Sequence, residues 1–201
     1  TTFKQIYLKD EEFSAEGLTV TATTKCGDKS ATFKLSPERY TISAPDLSSV
    51  GEKTVTVTSN DVSTVKIELK VYVVEKAEAV NNQIAVSVDA SKPISPVNFH
   101  TVTQALTYLE NYDAAVVKTI NIADGVYKEK ISVNIPNVHL IGSKTNKPSA
   151  DTDNGAVLMY DAISGKTDAS GKNYGTNGSG TVTVTSAATG FVAQNITFKN
   201  Y

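Results

Sequence analysis

No tryptophan occurs in this chain of 201 residues, and cysteine and methionine occur once each. A single cysteine, Cys26, excludes an intrachain disulfide, and its place at a turn suits a small structural residue better than a reactive thiol. No apolar run approaches the ~20 residues that a spanning helix needs, so helical membrane insertion is not expected. Charge of one sign is also missing. Nineteen basic residues stand against twenty-one acidic ones, for a net charge of −2. That balance gives no general case for nucleic acid or an anionic membrane as partner. The basic residues are lysines, with Arg39 the sole arginine. The chain opens on Thr1 and Thr2 without a methionine, as a processed product or a piece of a longer chain would. The lack of a visible signal peptide therefore says nothing about export.

What is present is a rhythm of short strands. Phe3 to Leu8 is a candidate first strand. Leu18, Val20 and Ala22 alternate with threonines, so a second strand should bury one face. Lys25 to Lys29 is a turn in which Gly27 can take positive φ. Ala31, Phe33 and Leu35 make the hairpin partner. Tyr40 and Ile42, then Val55 and Val57, mark two more strands. The longest runs from Val65 to Val73, with Val65, Ile67, Leu69, Val71 and Val73 on one face and charge on the other. This spacing of strands and turns predicts a β-sandwich. Asp10, Glu11 and Glu12 lack further oxygen ligands at useful spacing, so a solvated loop is expected there rather than calcium.

Glu75 to Asn82 breaks this rhythm with small and polar residues, which predicts a sandwich domain over 1–76 and a second domain over 82–201. Ile84, Val86 and Val88 form the next strand. Pro93 and Pro96 make Lys92 to Pro96 a loop. One helix is expected from Thr101 to about Asn111. Thr101 and Gln104 have capping-box spacing, and Val102, Ala105, Leu106 and Leu109 recur at helical intervals. Short strands follow over 119–123, 130–135, 138–141, 156–160, 180–185 and 191–199, with turns between them and no further helical period. Parallel βαβ units need crossover helices, and these are missing. A second antiparallel domain or a coiled solenoid remains.

Two resemblances extend this reading. The Gly17-Leu18-Thr19-Val20 strand, the Gly27-Asp28 turn and the segment from Pro45 to Thr58 resemble bacterial immunoglobulin-like modules of surface and secreted proteins. Further along, Phe99 to Leu106, Lys118 to Ile131, Val138 to Gly142, and Lys172 to Thr176 with Thr181 to Val184 and Gly190 to Asn200 follow one another. In that order they resemble the successive motifs of pectin methylesterases, over about residues 97–201. The resemblance implies an all-β chain: an Ig-like sandwich, then the N-terminal part of a right-handed parallel β-helix capped by the helix from Thr101. It also implies hydrolysis of methyl esters on pectin to carboxylate and methanol, without metal or organic cofactor, in an extracellular bacterial protein that is secreted or attached to the cell surface.

The family's chemistry uses two aspartates, oxyanion-stabilising glutamines and an arginine, in Q-D-T, D-F-I-F-G and R-x-W motifs beyond the N-I-T-F-x-N segment. An ester carbon is attacked by an ionised carboxylate while a second, protonated carboxyl serves the leaving methoxide. None of these motifs occurs here, so no catalytic residue is expected within the 201 residues, and the chain alone should be inactive. Thr176 and Asn177 match the Gly-Thr-x segment of the family's cleft and are the candidate substrate-binding residues. Gly180 stands where serine or alanine is usual, and the loop from Lys92 to Val97 replaces a short Asp-Gly turn.

Structural roles are expected for His100, His139 and Glu129. A solvated loop is expected for Asp151, Asp153, Asp161 and Asp168, and coincidence explains the sequon at Asn195 to Thr197. The competing class is a non-catalytic β-helix surface protein that binds polysaccharide or host glycans. An open last coil would favour self-association, which a monodisperse monomer with amide protection through Phe198 would contradict.

Overall fold

The computed structural model describes residues 3–143, 155–167 and 171–200, and of Asn177 the backbone only. The chain forms two compact units, Thr1–Glu75 and Lys76–Tyr201.

The first unit is an Ig-like sandwich of six strands: β1 (Ile6–Leu8), β2 (Thr21–Cys26), β3 (Lys29–Lys34), β4 (Tyr40–Ser43), β5 (Gly51–Ser59) and β6 (Lys66–Val74). Strand order in the larger sheet is β1-β6-β5-β4, with β1 parallel to β6 and the other pairs antiparallel. Its core is Tyr7, Leu47, Val55, Val71 and Val73, with Phe3, Phe13, Ile42 and Leu69 packed against it. The Phe13 ring lies 6.4 Å from Phe3 and 5.9 Å from Tyr7.

Two expectations about buried faces fail here. β2 and β3 pair as a hairpin around Gly27, which adopts φ +60°. Yet the hairpin is exposed along nearly its whole length, Phe33 included. Burial is confined to its base, where Val20 is covered and accepts the Leu35 N–H at 2.9 Å. On β6, Val71 and Val73 are buried while Val65 and Ile67 are 55% and 49% exposed. The aromatic cover sits over only one end of the sheet, so the alternating pattern continues past the packing that it serves.

The second unit is a parallel β-helix. Its first coil contains β7 (Gln83–Val88) and the two-residue β8 (Asn98–Phe99), followed by helix α1 (Val102–Leu109). The next coil is β9 (Val117–Ile122), β10 (Gly125–Lys128) and β11 (Ile131–Val133). The third is β12 (Val138–Gly142), β13 (Ala156–Tyr160) and β14 (Val182–Val184), with a four-residue helix α2 (Gly175–Gly178) before β14. The last holds β15 (Val192–Gln194) and β16 (Ile196–Asn200). Three parallel ladders stack these coils: β8-β7-β9-β12-β15, β10-β13-β16, and β11-β14. Neighbouring coils thus satisfy each other's backbone groups without crossover helices.

The inward rows explain the apolar spacing. Val86, Ile120 and Leu140 stack in register, as do Ile84, Lys118 and Val138. Lys118 is fully buried in that second row, and its Nζ reaches out to the carbonyls of Asp113 and Val116 at 2.8 Å each. Burial lowers the Lys118 ammonium below the ordinary lysine range. In the third row Val88 and Ile122 are followed by Gly142. A Cβ there would lie 2.1 Å from the Asn195 carbonyl oxygen, so glycine is required by close approach of the next coil.

The segment 191–199, expected as one strand, is two. Asn195 takes φ +55° and turns the chain from the ladder of β15 to that of β16. Likewise β10 lies in a stretch read as a turn, because Gly125 with φ +155° is a coil corner leading into a strand.

α1 closes the first coil, with Val102, Ala105, Leu106 and Leu109 buried. Its start is fully capped. The Thr101 hydroxyl accepts the Gln104 N–H at 3.1 Å, while the Gln104 side chain accepts the His100 N–H at 3.0 Å. The Glu129 carboxylate accepts the N–H groups of Val102 and Thr103 at 2.9 Å each and the Thr103 hydroxyl at 2.7 Å. Glu129 is thus the structural hydrogen-bonding carboxylate that the sequence suggests, placed at the positive end of the helix dipole.

Candidate functional site

The candidate residues Thr176 and Asn177 sit on an excursion between β13 and β14. They lie on a helical turn, α2, entered through Gly175 at φ +63°. Backbone bonds hold its base: Tyr174 N–H to the Lys166 carbonyl at 2.9 Å and Gly175 N–H to the Ser164 carbonyl at 3.0 Å. Ser179 Oγ donates to the Thr176 carbonyl at 2.9 Å, and Asn200 Nδ2 to the Ser179 carbonyl at 3.0 Å. Thr176 is exposed. The Asn177 side chain lies outside the described residues.

The side chain that fixes this turn is one that the sequence did not single out. Lys130, just before β11, donates to the Gly178 carbonyl and, at 2.8 Å, to the Gly180 carbonyl. Its Nζ also lies 5.1 Å from the Tyr174 ring centre and 5.8 Å from that of Tyr160. A cation between two ring faces and two carbonyls is held by electrostatics on every side. Burial alone shifts its pKa, and downward. The only hint in the sequence is a lysine after Glu129, in a motif where Glu129 draws the eye. Lys128 and Lys199 flank Met159 in register on the adjoining ladder, so this side of the coil carries positive charge.

The remaining candidates take structural or unremarkable places. His100 Nε2 meets the Lys92 carbonyl at 2.7 Å. His139 points outward on β12 in register with Thr119 and Val192. Glu11 pairs with Lys4 and accepts the Leu8 N–H at 2.8 Å, which occupies the acidic run. Asp161 pairs with Lys166. Asp151, Asp153 and Asp168 lie outside the described residues. Among the described residues no three His, Cys, Asp or Glu side chains are grouped to hold a metal. Arg39 belongs to the first unit, where its Nη2 binds Asp61 at 2.6 Å. Gly180 has open space on its Cβ side apart from the Val182 carbonyl at 3.5 Å, so the departure from serine there has no steric cause.

Residues 1–71 match the family model of the bacterial Ig-like domain (group 3). Pectinesterase A of Dickeya dadantii (strain 3937) is 35% identical over 81 residues, which are 40% of this chain and 19% of that protein. This chain is similar to pectin methylesterases. A solved pectin methylesterase in complex with hexasaccharide VII matches 60% of this chain and 30% of its own, at 29% identity and a TM-score of 0.42. Pectin methylesterase PemA from Erwinia chrysanthemi matches 54% and 27%, at 28% identity and a TM-score of 0.38. The chain thus spans 19% of the length of the curated relative. Among the described residues no helix is long and apolar enough to cross a membrane.

Proposed function

We propose that this chain supplies the opening coils of a secreted carbohydrate esterase that hydrolyses the methyl esters of pectin, its acid, nucleophile and oxyanion donors lying outside these 201 residues. The observation that carries this reading is the 35% identity to Pectinesterase A over 81 residues. The Thr176 turn supports it. An exposed hydroxyl on a clamped turn, beside a coil face bearing Lys128 and Lys199, suits a polymer of hydroxyls and carboxylates. Thr176 and Asn177 are the proposed substrate contacts. Pectin is the partner of the whole protein, and a second copy of this chain meets the exposed coil edge at β14 and β16, where Val184 and Phe198 are each 45% exposed.

The 201-residue chain is expected to release no methanol from methylated pectin. It is expected to bind oligogalacturonides weakly, with several-fold loss in Thr176→Ala. Turnover like that of an intact esterase would overturn the placement of the chemistry. Absence of oligogalacturonide binding, with binding to other glycans, would favour the non-catalytic surface protein. Sedimentation of the same sample reads the self-association.

A further inference from the structure

A concavity of mixed polar and apolar lining lies on the ladder of β7, β9 and β12, away from the strands that carry the Thr176 turn. It is an open hollow of about 250 Å³ where these three strands end, between Ser87, Asp89, Lys92, Asn121, Ile122 and Ile141. Ser87, Asn121 and Ile141 form one outward row in register. The side chains of Ser87 and Asn121 make no hydrogen bond among the described residues.

The wall opposite is built by Asp89 and Lys92, at the start of the Lys92 to Val97 loop that departs from the short turn of the resembled family. It is tightly pinned. Asn98, itself buried, donates to the carbonyls of Asp89 and Pro93 at 3.1 Å each, and His100 holds the Lys92 carbonyl. Asp89 Oδ1 accepts the Ser91 N–H at 3.0 Å and hydroxyl at 2.6 Å, and Oδ2 meets Lys92 Nζ at 2.9 Å. Lys92 and Ser91 hold the Asp89 carboxyl down at about 2, so it stays an acceptor at neutral pH. From behind, the Tyr127 hydroxyl donates to the carbonyls of Ala123 at 2.9 Å and Val88 at 3.2 Å, fixing the strand ends that line the floor.

Such a lining has a definite chemical match. Hydroxyls both donate and accept, and Ser87 and Asn121 offer both roles, unengaged. The paired Asp89 and Lys92 leave no net charge to select an ion. Ile141, on the outward row, gives an apolar surface for C–H groups. A volume below the roughly 300–1,000 Å³ of drug-sized sites fits one ring rather than an oligomer. The geometry points to a binding site for a single neutral hexopyranose unit at the ends of β7, β9 and β12, formed by Ser87, Asn121, Asp89 and Lys92. Sugar as the probe rests on the polysaccharide reading above; the site itself is separate from the Thr176 turn.

The test is an amide NMR titration of the 201-residue chain with D-galactose and, separately, with D-galacturonate. Saturable shifts at Ser87, Asn121 and Ile122 are expected with galactose, at roughly millimolar affinity. The Ser87→Ala/Asn121→Ala double variant, folded by its amide dispersion, should bind at least tenfold more weakly. Galacturonate should bind several-fold more weakly than galactose, because the Asp89–Lys92 pair leaves no net positive charge to offset the desolvation of its carboxylate. No saturable shift, shifts unchanged in the double variant, or galacturonate binding as tightly as galactose would each overturn the assignment. Failure here with oligogalacturonide binding intact at Thr176 leaves the esterase reading standing, and the reverse outcome leaves this site standing.

Discussion

β6 of the Ig-like unit and β13 of the β-helix carry similar apolar content in opposite arrangements. β6 alternates strictly through Ile67, Leu69, Val71 and Val73, yet only its C-terminal part is buried. β13 reads Ala156-Val157-Leu158-Met159 without alternation, and all four residues are buried. The mixed sheet that holds β6 has one face to cover and a small stock of aromatics to cover it with. The coil strand has a neighbour above and below, with Lys128 and Lys199 in register on either side of Met159. Alternation therefore tells which way side chains point, while stacking decides whether they are buried.

The largest test of this contrast is a pair of truncations. Leu140 is fully buried between Ile120 and Ala193, whereas Ile67 is 49% exposed. Leu140→Ala should cost about 2–5 kcal/mol, because the stacked coils cannot collapse onto the cavity. Ile67→Ala should cost about 0.5 kcal/mol despite the perfect alternation around it. Residue-resolved amide exchange in each variant separates the two units. Equal losses would show that β6 is covered along its whole length.

A smaller pair tests close approach within the coils. Gly142→Ala puts a methyl 2.1 Å from the Asn195 carbonyl oxygen, a backbone atom fixed at a corner. A loss of about 1–3 kcal/mol is expected, typical of overpacking. Gly180→Ser meets nothing nearer than 3.5 Å and should change stability by about 0.5 kcal/mol or less in urea titration. If both substitutions were neutral, the contact at Gly142 would not be limiting.

Much of this architecture was legible in the residues. Thr101 and Gln104 announced the start of α1, and Glu129 its structural role, because capping is local chemistry. The β12 and β13 segments were legible because short apolar runs between turns leave few alternatives. The split at Asn195 was not, since a single residue at positive φ leaves hydrophobic spacing unchanged. Nor was the exposure of Phe33, which depends on what packs against the hairpin rather than on the hairpin itself. At the candidate site, Thr176 could be marked by motif. Lys130 lies forty-eight residues from the Gly178 carbonyl that it binds, and no local pattern records such a contact. The buried Lys118 was hidden the same way, because a lysine in an otherwise alternating strand reads as an outward residue.

The smallest expected effect concerns alkaline pH and separates the units once more. Burial, with the nearby Asp89, Glu129 and Asp124 carboxylates, pushes the Tyr127 phenol up to about 12. Burial and the Tyr108 hydroxyl also raise Tyr112, whose own hydroxyl donates to the Ala77 carbonyl at 2.6 Å. A phenol raised on folding binds its proton more tightly in the folded state. Its contribution is complete below the unfolded value of about 10 and is lost as pH rises through the folded value. The β-helix should therefore lose stability steadily between about pH 10 and 12. Tyr127→Phe removes the donor to two carbonyls, costing about 0.5–1.5 kcal/mol at neutral pH, and flattens that alkaline slope. In the Ig-like unit the buried Tyr7 is shifted in the same direction, so its own slope should persist in the variant. A Tyr127→Phe chain with an unchanged slope in the coil amides would assign the alkaline loss to Tyr112 instead, and a double variant with Tyr112→Phe would then have to remove it.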